Sequence, residues 1–325
     1  MKKKLVVLTL LASMSMTSYA DIQTVQNALE QDDLLLAQQV FNTLTTEEKN
    51  AIPGQVLKGR LLLENDETED AFDHFEALQK QHASNVDINY YLGVSAVIMA
   101  QKASIFSKLS YAKDFIKAME RTVELKPDHQ DALNTLIGFH LNAPSIAGGD
   151  KDKALVYAKQ LQSYDAELGY SQIATVYWQT EQSELADKTM SEAFDRYPQS
   201  STLYFSRAQQ SIKNEAWDKA RADLALAAKF AQDDEKKGEA LYQQGKVSVE
   251  SGVETELGID ALTQALPLAA KEYQPWVNYR LAQLYLQKKE QVKAHETIAK
   301  IDISENEDLE DKVKKLKKKL KKLTG

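Results

Sequence analysis

The residue types that most often perform chemistry are either absent from this chain or poorly spaced for it. Cysteine does not occur, which removes thiolate catalysis and cysteine-based metal sites. The five histidines occur singly, without the His-Glu-x-x-His spacing that places two zinc ligands on one helix face. They are His74, His82, His129, His140 and His295. The sequence therefore predicts neither a metal site nor a cofactor.

Two glycine-containing segments have a superficial likeness to catalytic motifs. Gly238 and Gly245-Lys246 are separated by six residues where a phosphate-binding loop has four, and Val247 stands where Ser or Thr would reach magnesium. Gly93-Val94-Ser95 lies inside a predicted helix, whereas a nucleophilic serine needs a sharp turn between a strand and a helix. We therefore expect a protein that is not an enzyme.

The acidic run from Glu64 to Asp70 could be a calcium loop or the start of a helix. It lacks the glycine that a calcium loop needs at its sixth position, and Ala71 begins an apolar helical pattern. Acidic residues at the start of a helix stabilise its positive end. Helix capping is the favoured interpretation.

The segment Gly148-Gly149-Asp150 precedes a predicted helix. Its backbone N–H groups could bind an anion, but Asp150 is a natural N-cap whose carboxylate would occupy those donors. A structural turn is favoured, and a loop that contacts a partner is the alternative.

Composition indicates an all-α protein. Apolar residues make up 43% of the 325 residues, which is enough to form a core, while 12 glycines and 6 prolines leave few residues for the turns of a β-rich fold.

The first twenty residues have the pattern of an export signal. Three lysines (Lys2 to Lys4) precede an apolar stretch from Leu5 to Met16, and Ser18-Tyr19-Ala20 offers a cleavage site. The stretch is shorter than the roughly 20 residues that span a membrane. We predict a cleavable signal peptide at residues 1–20 and a periplasmic protein, without the cysteine that a lipid anchor requires.

A repeat of about 34 residues organises the rest of the chain, and its clearest copy runs from Glu167 to Ser200. Its apolar and small residues have helical spacing, followed by a proline: Tyr170, Ile173, Ala174, Tyr177, Ala186, Met190, Ala193 and Pro198. This pattern resembles the tetratricopeptide repeat, in which positions 4, 7, 8, 11, 20, 24, 27 and 32 carry such residues. Neighbouring copies follow the same pattern, for example with Ala208, Ala220, Leu224 and Ala227.

The resemblance implies an all-α fold, a right-handed α-solenoid of about six to seven helical hairpins over residues 21–301. Two intervals exceed the repeat length. The interval between Ala96 and Phe115 is about ten residues too long and contains the extra segment Gln101 to Ala112. The interval between His140 and Ala154 is about five too long and contains Asn142 to Asp150. We therefore expect an extended hairpin pair near residues 101–150. With its Ala-Pro…Gly-Gly-Asp turn, the chain is similar to a subset of exported bacterial tetratricopeptide proteins.

The resemblance also implies a binding surface, because the first helix of each repeat lines a concave groove with positions 2, 5, 9 and 12. Aromatic residues, which dominate peptide-binding hot spots, occupy several of these positions: Tyr90, Trp178, Phe205, Tyr242, Trp276 and Tyr279. They are the predicted partner-binding residues for a protein or peptide. Alternatively, the rings only pack neighbouring helices together, or they line a closed pocket in a small-molecule or lipid-binding accessory protein of a transport system.

Charge is distributed unevenly. Residues 21–301 carry 42 acidic and 29 basic side chains, a net charge of −13, so nucleic acid is not expected as a partner. Residues 302–325 form a separate lysine-rich helix with an apolar seam at Leu309, Val313, Leu316, Leu320 and Leu323. This helix could cap the solenoid, pair with a partner helix or contact an anionic membrane.

Overall fold

The computed structural model describes residues 21–304 and 306–324, and all regular secondary structure within these ranges is helical. The described residues form two compact units, one ending at Tyr157 and the other beginning at Ala158. The predicted signal peptide at residues 1–20 lies outside the described residues.

The first unit contains helices α1 to α8 and the beginning of α9, with one 3-10 turn. Their bounds are α1 (residues 21–30), α2 (Leu34–Thr43), α3 (Thr46–Asn50), α4 (Ile52–Glu64), α5 (Thr68–Gln81), α6 (Val86–Lys102), α7 (Ile105–Leu125), α8 (Gln130–Asn142), the 3-10 turn (Ser145–Ala147) and α9 (Lys151–Gln162).

The second unit contains the end of α9 and helices α10 to α18. Their bounds are α10 (Ala166–Gln179), α11 (Ser183–Arg196), α12 (Ser201–Lys213), α13 (Trp217–Phe230), α14 (Asp234–Ser251), α15 (Thr255–Ala265), α16 (Gln274–Gln287), α17 (Gln291–Ile298) and α18 (Glu307–Thr324).

Small residues bring paired helices into close contact, as the repeat pattern predicts. In α14, a Cβ on Gly245 would overlap the side chain of Leu262 in α15. In α4, a Cβ on Gly59 would overlap the ring of Phe75 in α5. Six of the residues predicted for the inner faces of α10 and α11 are buried, and Tyr177 is half-buried. The six are Tyr170, Ile173, Ala174, Ala186, Met190 and Ala193. Helices can nest in this way only where side chains are absent or small.

The turn inside most hairpins has one recurring backbone conformation. A non-glycine residue with a positive φ of 53° to 61° follows the first helix, and in most of these turns the chain forms a backbone hydrogen bond such as Gln182 N–H to Tyr177 C=O at 2.9 Å. This is a Schellman-type helix end. The residues are Asp32, Asp66, Glu181, Glu215, Glu254 and Lys289. Within each unit they are spaced by 34 or 35 residues, except for the 39 residues between Glu215 and Glu254.

The described residues contain eight helix pairs, four between α1 and α9 and four between α10 and α17; the sequence predicts six to seven. The extra length near residues 101–150 occurs in two features. The first is a lengthening of α6 to 17 residues and of α7 to 21 residues. The second is the turn between α8 and α9.

The turn between α8 and α9 makes the capping contacts expected of a structural turn. Asp150 Oδ1 accepts hydrogen bonds from the backbone N–H groups of Asp152 and Lys153 at 3.0 and 3.1 Å, which confirms it as the N-cap of α9. Gly148 has a φ of +98°, a conformation that suits glycine. Likewise, Glu69 and Asp70 lie in the first turn of α5, where acids stabilise a helix.

Helix α18 packs on the last hairpin with its apolar seam inward. Leu309, Val313, Leu316 and Leu320 are at most 8% exposed and form a cluster with residues of α16 and α17, including Ala282 and Ile298. Of the three alternatives for this helix, this packing corresponds to a cap on the last hairpin. Among the described helices, none has the length and apolarity needed to cross a membrane.

Candidate functional site

Three parallel first helices of successive hairpins, α10, α12 and α14, line an open groove in the second unit. Its volume is about 490 Å³. Nine of its fifteen lining residues are Ser, Thr or Gln, three are apolar or aromatic and three are charged. The groove therefore combines neutral hydrogen-bonding groups and three charged residues with a lining surface that is mainly apolar.

Two of the predicted aromatic residues lie in this groove. Trp178 is near the end of α10 and Phe205 is on the neighbouring α12, and both are half-buried. Each also packs at the edge of the hydrophobic core, so the rings are held in place from behind while part of their surface faces the groove. Rings fixed in this way bind apolar groups at a low cost in conformational entropy.

A stripe of polar side chains runs along α12 beside Phe205. Thr202, Ser206 and Gln209 are spaced by four and three residues, so they lie on one face of the helix. Within the part of the chain that the structure describes, none of the three side chains has a hydrogen-bond partner. Their donors and acceptors are available to a ligand in the groove.

Charged groups flank the polar stripe. Lys213 follows it on α12, and Lys236 and Glu239 stand on α14. Partial desolvation raises the pKa of the Glu239 carboxyl group although the residue remains exposed, and the nearby carboxylate of Glu235 raises that pKa further. A carboxylate that is harder to ionise gains more from a cationic group on a ligand than a fully solvated one would.

The remaining predicted aromatic residues do not join this groove. Tyr242 is half-buried and packs against the core between α14, α15 and α16. Tyr90, in the first unit, lies 4.6 Å from the ring of His129, measured between centroids. Burial, followed by the charge of Asp131, raises the pKa of Tyr90 to about 12. These contacts match the alternative that the aromatic rings pack neighbouring helices together.

Trp276 and Tyr279 are covered by α18. Tyr279 is only 8% exposed and belongs to the cluster that buries the seam of α18. The ring of Trp276 lies 6.2 Å from that of Tyr279, and the ammonium group of Lys312 stands 5.7 Å from its centroid. The structure therefore places Tyr279 in the core and not on an accessible surface, contrary to the sequence prediction. The physical reason is a long-range contact that no local pattern contains.

A second groove, bounded by α11, α12 and α13, is held by charge pairing. Arg207 donates two hydrogen bonds to the carboxylate of Asp223, at 2.8 and 2.7 Å. Its guanidinium lies 4.3 Å from the centroid of Phe194. This pairing uses two of the five guanidinium N–H groups and stabilises the packing of α12 on α13.

Sequence reasoning found the two aromatic residues of the groove and missed its polar and charged members. Thr202, Ser206, Gln209, Lys213 and Glu239 carry one usable signal, a helical stripe of hydroxyl and amide groups on the face opposite the apolar pattern. The stripe indicates a groove only when the first helices of adjacent repeats are compared.

The fold and the groove define a helical-repeat protein of the tetratricopeptide type. No protein-family model matches the sequence, and no curated protein does either. The chain is similar in structure to a tetratricopeptide repeat protein from Parabacteroides merdae ATCC 43184, with 13% identity, a TM-score of 0.51 and coverage of 83% of this chain and 99% of that chain.

Two other solved structures are more distant. One is YrrB, described as a TPR protein with an unusual peptide-binding site (19% identity, TM-score 0.40, 61% of this chain and 98% of that chain). The other is PilF of Pseudomonas aeruginosa (17% identity, TM-score 0.40, 60% and 93%). At these identities the similarity concerns the fold alone. The tetratricopeptide fold predicted from the residues is confirmed.

Proposed function

We propose that this protein is a non-catalytic scaffold that holds an extended segment of a partner protein in the groove of α10, α12 and α14. The observation that carries the proposal is the stripe of Thr202, Ser206 and Gln209, whose side chains are unpaired within the described residues. A peptide in extended conformation presents backbone N–H and C=O groups at regular intervals, and neutral hydroxyl and amide side chains can satisfy both kinds.

The aromatic residues supply the anchoring part of the proposal. Trp178 and Phe205 lie beside the polar stripe with their rings fixed by the core. A partner side chain that packs on such rings gains affinity through apolar burial, while the polar stripe sets the direction of the peptide. The separation of these two roles is typical of peptide recognition.

A small-molecule or lipid-binding accessory role is the second candidate from the sequence. It requires a closed apolar cavity that buries most of the ligand. The groove is open along one side and is lined mostly by Ser, Thr and Gln, which favours the peptide. The periplasmic location is part of the proposal and rests on the lysines, apolar stretch and cleavage site of residues 1–20. The expected absence of nucleic-acid binding rests on the acidic net charge.

The proposal can be tested by photo-crosslinking in the cells that make the protein. One variant carries a photoreactive amino acid at Gln209, in the groove. A second variant carries it at Glu192, an exposed position on α11. We expect mass spectrometry of the Gln209 adduct to give one recurring peptide segment from a protein, and the Glu192 adduct to lack it. An adduct with a small molecule or lipid at Gln209 would favour the second candidate.

The affinity of that segment then tests the roles of the residues. We expect Trp178→Ala and Phe205→Ala each to weaken binding by about tenfold or more, as hot-spot truncations do. Glu192→Ala, as the matched surface control, should bind like the wild type. If both aromatic variants bind as tightly as the wild type, the groove is not the binding site.

A further inference from the structure

Helix α18 presents a face of exposed lysines that its own structure does not neutralise. Eight lysines occur between Lys312 and Lys322, a distance of about 15 Å along the helix axis. The seven from Lys314 onward are exposed. The rest of the chain from residue 21 is strongly acidic, so this patch opposes the net charge of the molecule.

The apolar side of α18 is not available to a partner over most of its length. Leu309 and Val313 are each 1% exposed, Leu316 is 4% exposed and Leu320 is 8% exposed. They pack against α16 and α17. Whatever binds the outer face of α18 therefore meets charge, and the helix cannot insert its seam elsewhere without leaving the hairpin.

Only part of the positive charge is paired within the molecule. Lys312 contacts Asp308, and Lys314 contacts Glu310 at 2.9 Å and Asp311 at 3.6 Å. Among the described residues, five lysines of α18 have no ion-pair partner: Lys315, Lys317, Lys318, Lys319 and Lys322.

The unpaired lysines repel one another. Lys315 and Lys318 are three residues apart and Lys315 and Lys319 are four apart, spacings at which like charges destabilise a helix. The sequence after Asp311 contains no acidic residue to offset this. The helix dipole accounts for lysines in the last turn, such as Lys321 and Lys322, but its effect fades within that turn. It leaves Lys315 to Lys319 unexplained.

We propose that the lysine face of α18 binds the surface of a membrane rich in anionic phospholipids, without insertion of the helix. The lysine face and such a surface carry complementary charges. A flat array of phosphate groups relieves the repulsion among the lysines and attracts each of them. All eight cations are lysines and none is arginine. A lysine acts as a point charge that accepts many phosphate geometries, whereas arginine is favoured for a paired contact with one particular group.

The same charge distribution orients the molecule. Residues 21–301 have a net charge of −13, so an anionic surface attracts α18 and repels most of the remaining surface. Because the binding is electrostatic, it weakens sharply when salt shortens the screening length. Binding through apolar insertion would resist salt.

Vesicle sedimentation tests the proposal with the full chain. The vesicles contain equal parts of phosphatidylglycerol and phosphatidylcholine, or phosphatidylcholine alone, at about 50 mM salt, where screening is weak. The test variant carries Lys315→Gln, Lys318→Gln, Lys319→Gln and Lys322→Gln. The control variant carries Lys108→Gln, Lys117→Gln, Lys159→Gln and Lys219→Gln, which are exposed lysines outside α18. Residues 1–20 are common to all three proteins.

We expect wild type and control to sediment with the anionic vesicles more than with the neutral ones. The test variant should bind the anionic vesicles at least about 100-fold more weakly, since each lysine near such a surface contributes about fivefold. About 0.5 M salt should remove the difference. For fluorescence, Trp178→Phe and Trp217→Phe are added to all three proteins, so that Trp276 is the emitting tryptophan. The emission of Trp276, which lies under Lys312, should not change on binding. Circular dichroism should show equal helix content in all three proteins.

Three results would overturn the proposal. They are equal binding of the test and control variants, equal binding to neutral and anionic vesicles, and a spectral shift of Trp276 that reports release of α18 into the bilayer. Loss of binding to an acidic polypeptide by the test variant, with vesicle binding unchanged, would assign the lysine face to a protein partner instead.

Discussion

His140 Nδ1 lies 3.1 Å from the carbonyl oxygen of Gly148, and this contact joins the end of α8 to the turn before α9. A carbonyl oxygen only accepts hydrogen bonds, so Nδ1 carries a proton in this contact. The other nitrogen, Nε2, is buried and has no partner within the described residues. Burial lowers the pKa of His140, and the ammonium group of Lys153 lowers it further.

Stability should fall in mild acid because His140 must then take up a proton. Its pKa in the folded protein lies below the ordinary value of 6.5, so its contribution is fully present above that value and is lost as the pH falls through the folded value. We expect the midpoint of urea unfolding to decrease from about pH 7.5 to about pH 5. His140→Asn should reduce this decrease. Identical pH profiles for the wild type and this variant would contradict the prediction.

The turn before α9 should not tolerate a side chain at Gly149. An added Cβ would overlap the carbonyl oxygen of Ala143, which belongs to the backbone and cannot move aside alone. We expect Gly149→Ala to lower the free energy of unfolding by about 3 kcal/mol, measured by urea titration. Gly138 provides the control, because a Cβ there meets no atom within 4 Å. Gly138→Ala should stabilise α8 by about 0.5–1 kcal/mol; a loss of stability there would show that the geometric argument is wrong.

Tyr279 and Phe205 should respond differently to truncation although both were predicted as binding residues. Tyr279 is buried beneath α18, so Tyr279→Ala should cost about 3 kcal/mol of unfolding free energy. Phe205 is half-buried at the groove. Phe205→Ala should therefore lower the free energy of unfolding by roughly 1 kcal/mol, because its removal takes less buried surface from the core than the removal of Tyr279. Thermal and urea unfolding measure both. A larger loss for Phe205 than for Tyr279 would reverse their assignments to groove and core.

Arg207 should not be replaceable by lysine. Lysine cannot form the two hydrogen bonds that the guanidinium donates to Asp223, nor stack on Phe194 in the same way. We expect Arg207→Lys to cost about 1–2 kcal/mol of unfolding free energy. Arg121 is the control, since its ion pair with Glu124 is exposed, and Arg121→Lys should change stability by less than about 0.5 kcal/mol. Equal effects would mean that the pairing geometry of Arg207 does not matter.

Local pattern predicted the fold because the repeat encodes close contacts within each hairpin. The small residue at Gly245 and the large residue at Leu262 meet as their spacing indicates, and Asp150 caps α9 as its position indicates. Such contacts depend on residues separated by a fixed number of positions. For the same reason, the apolar faces of α10 to α13 were recognisable from spacing alone.

The candidate site was predicted only in part, because its limits depend on contacts between distant segments. Trp178 and Phe205 were found by repeat position, but Tyr279 occupies an equivalent position and is covered by α18. The sequence pattern of α18 shows that it has an apolar seam and not which surface the seam covers. The polar stripe of α12 was missed because its residues also suit an ordinary solvent-exposed face.

The recurring positive-φ turn has a consequence for how the chain could change in length. Glu181 and Glu215 have the same backbone conformation and are 34 residues apart. If the block between them is removed, the segment after Glu215 can follow Glu181 without a change in the geometry of the turn. Removal or duplication of such a block would preserve the geometry at the new junction. Shortening or extending the protein by whole hairpins would therefore disturb the local structure less than a deletion of a few residues within a helix.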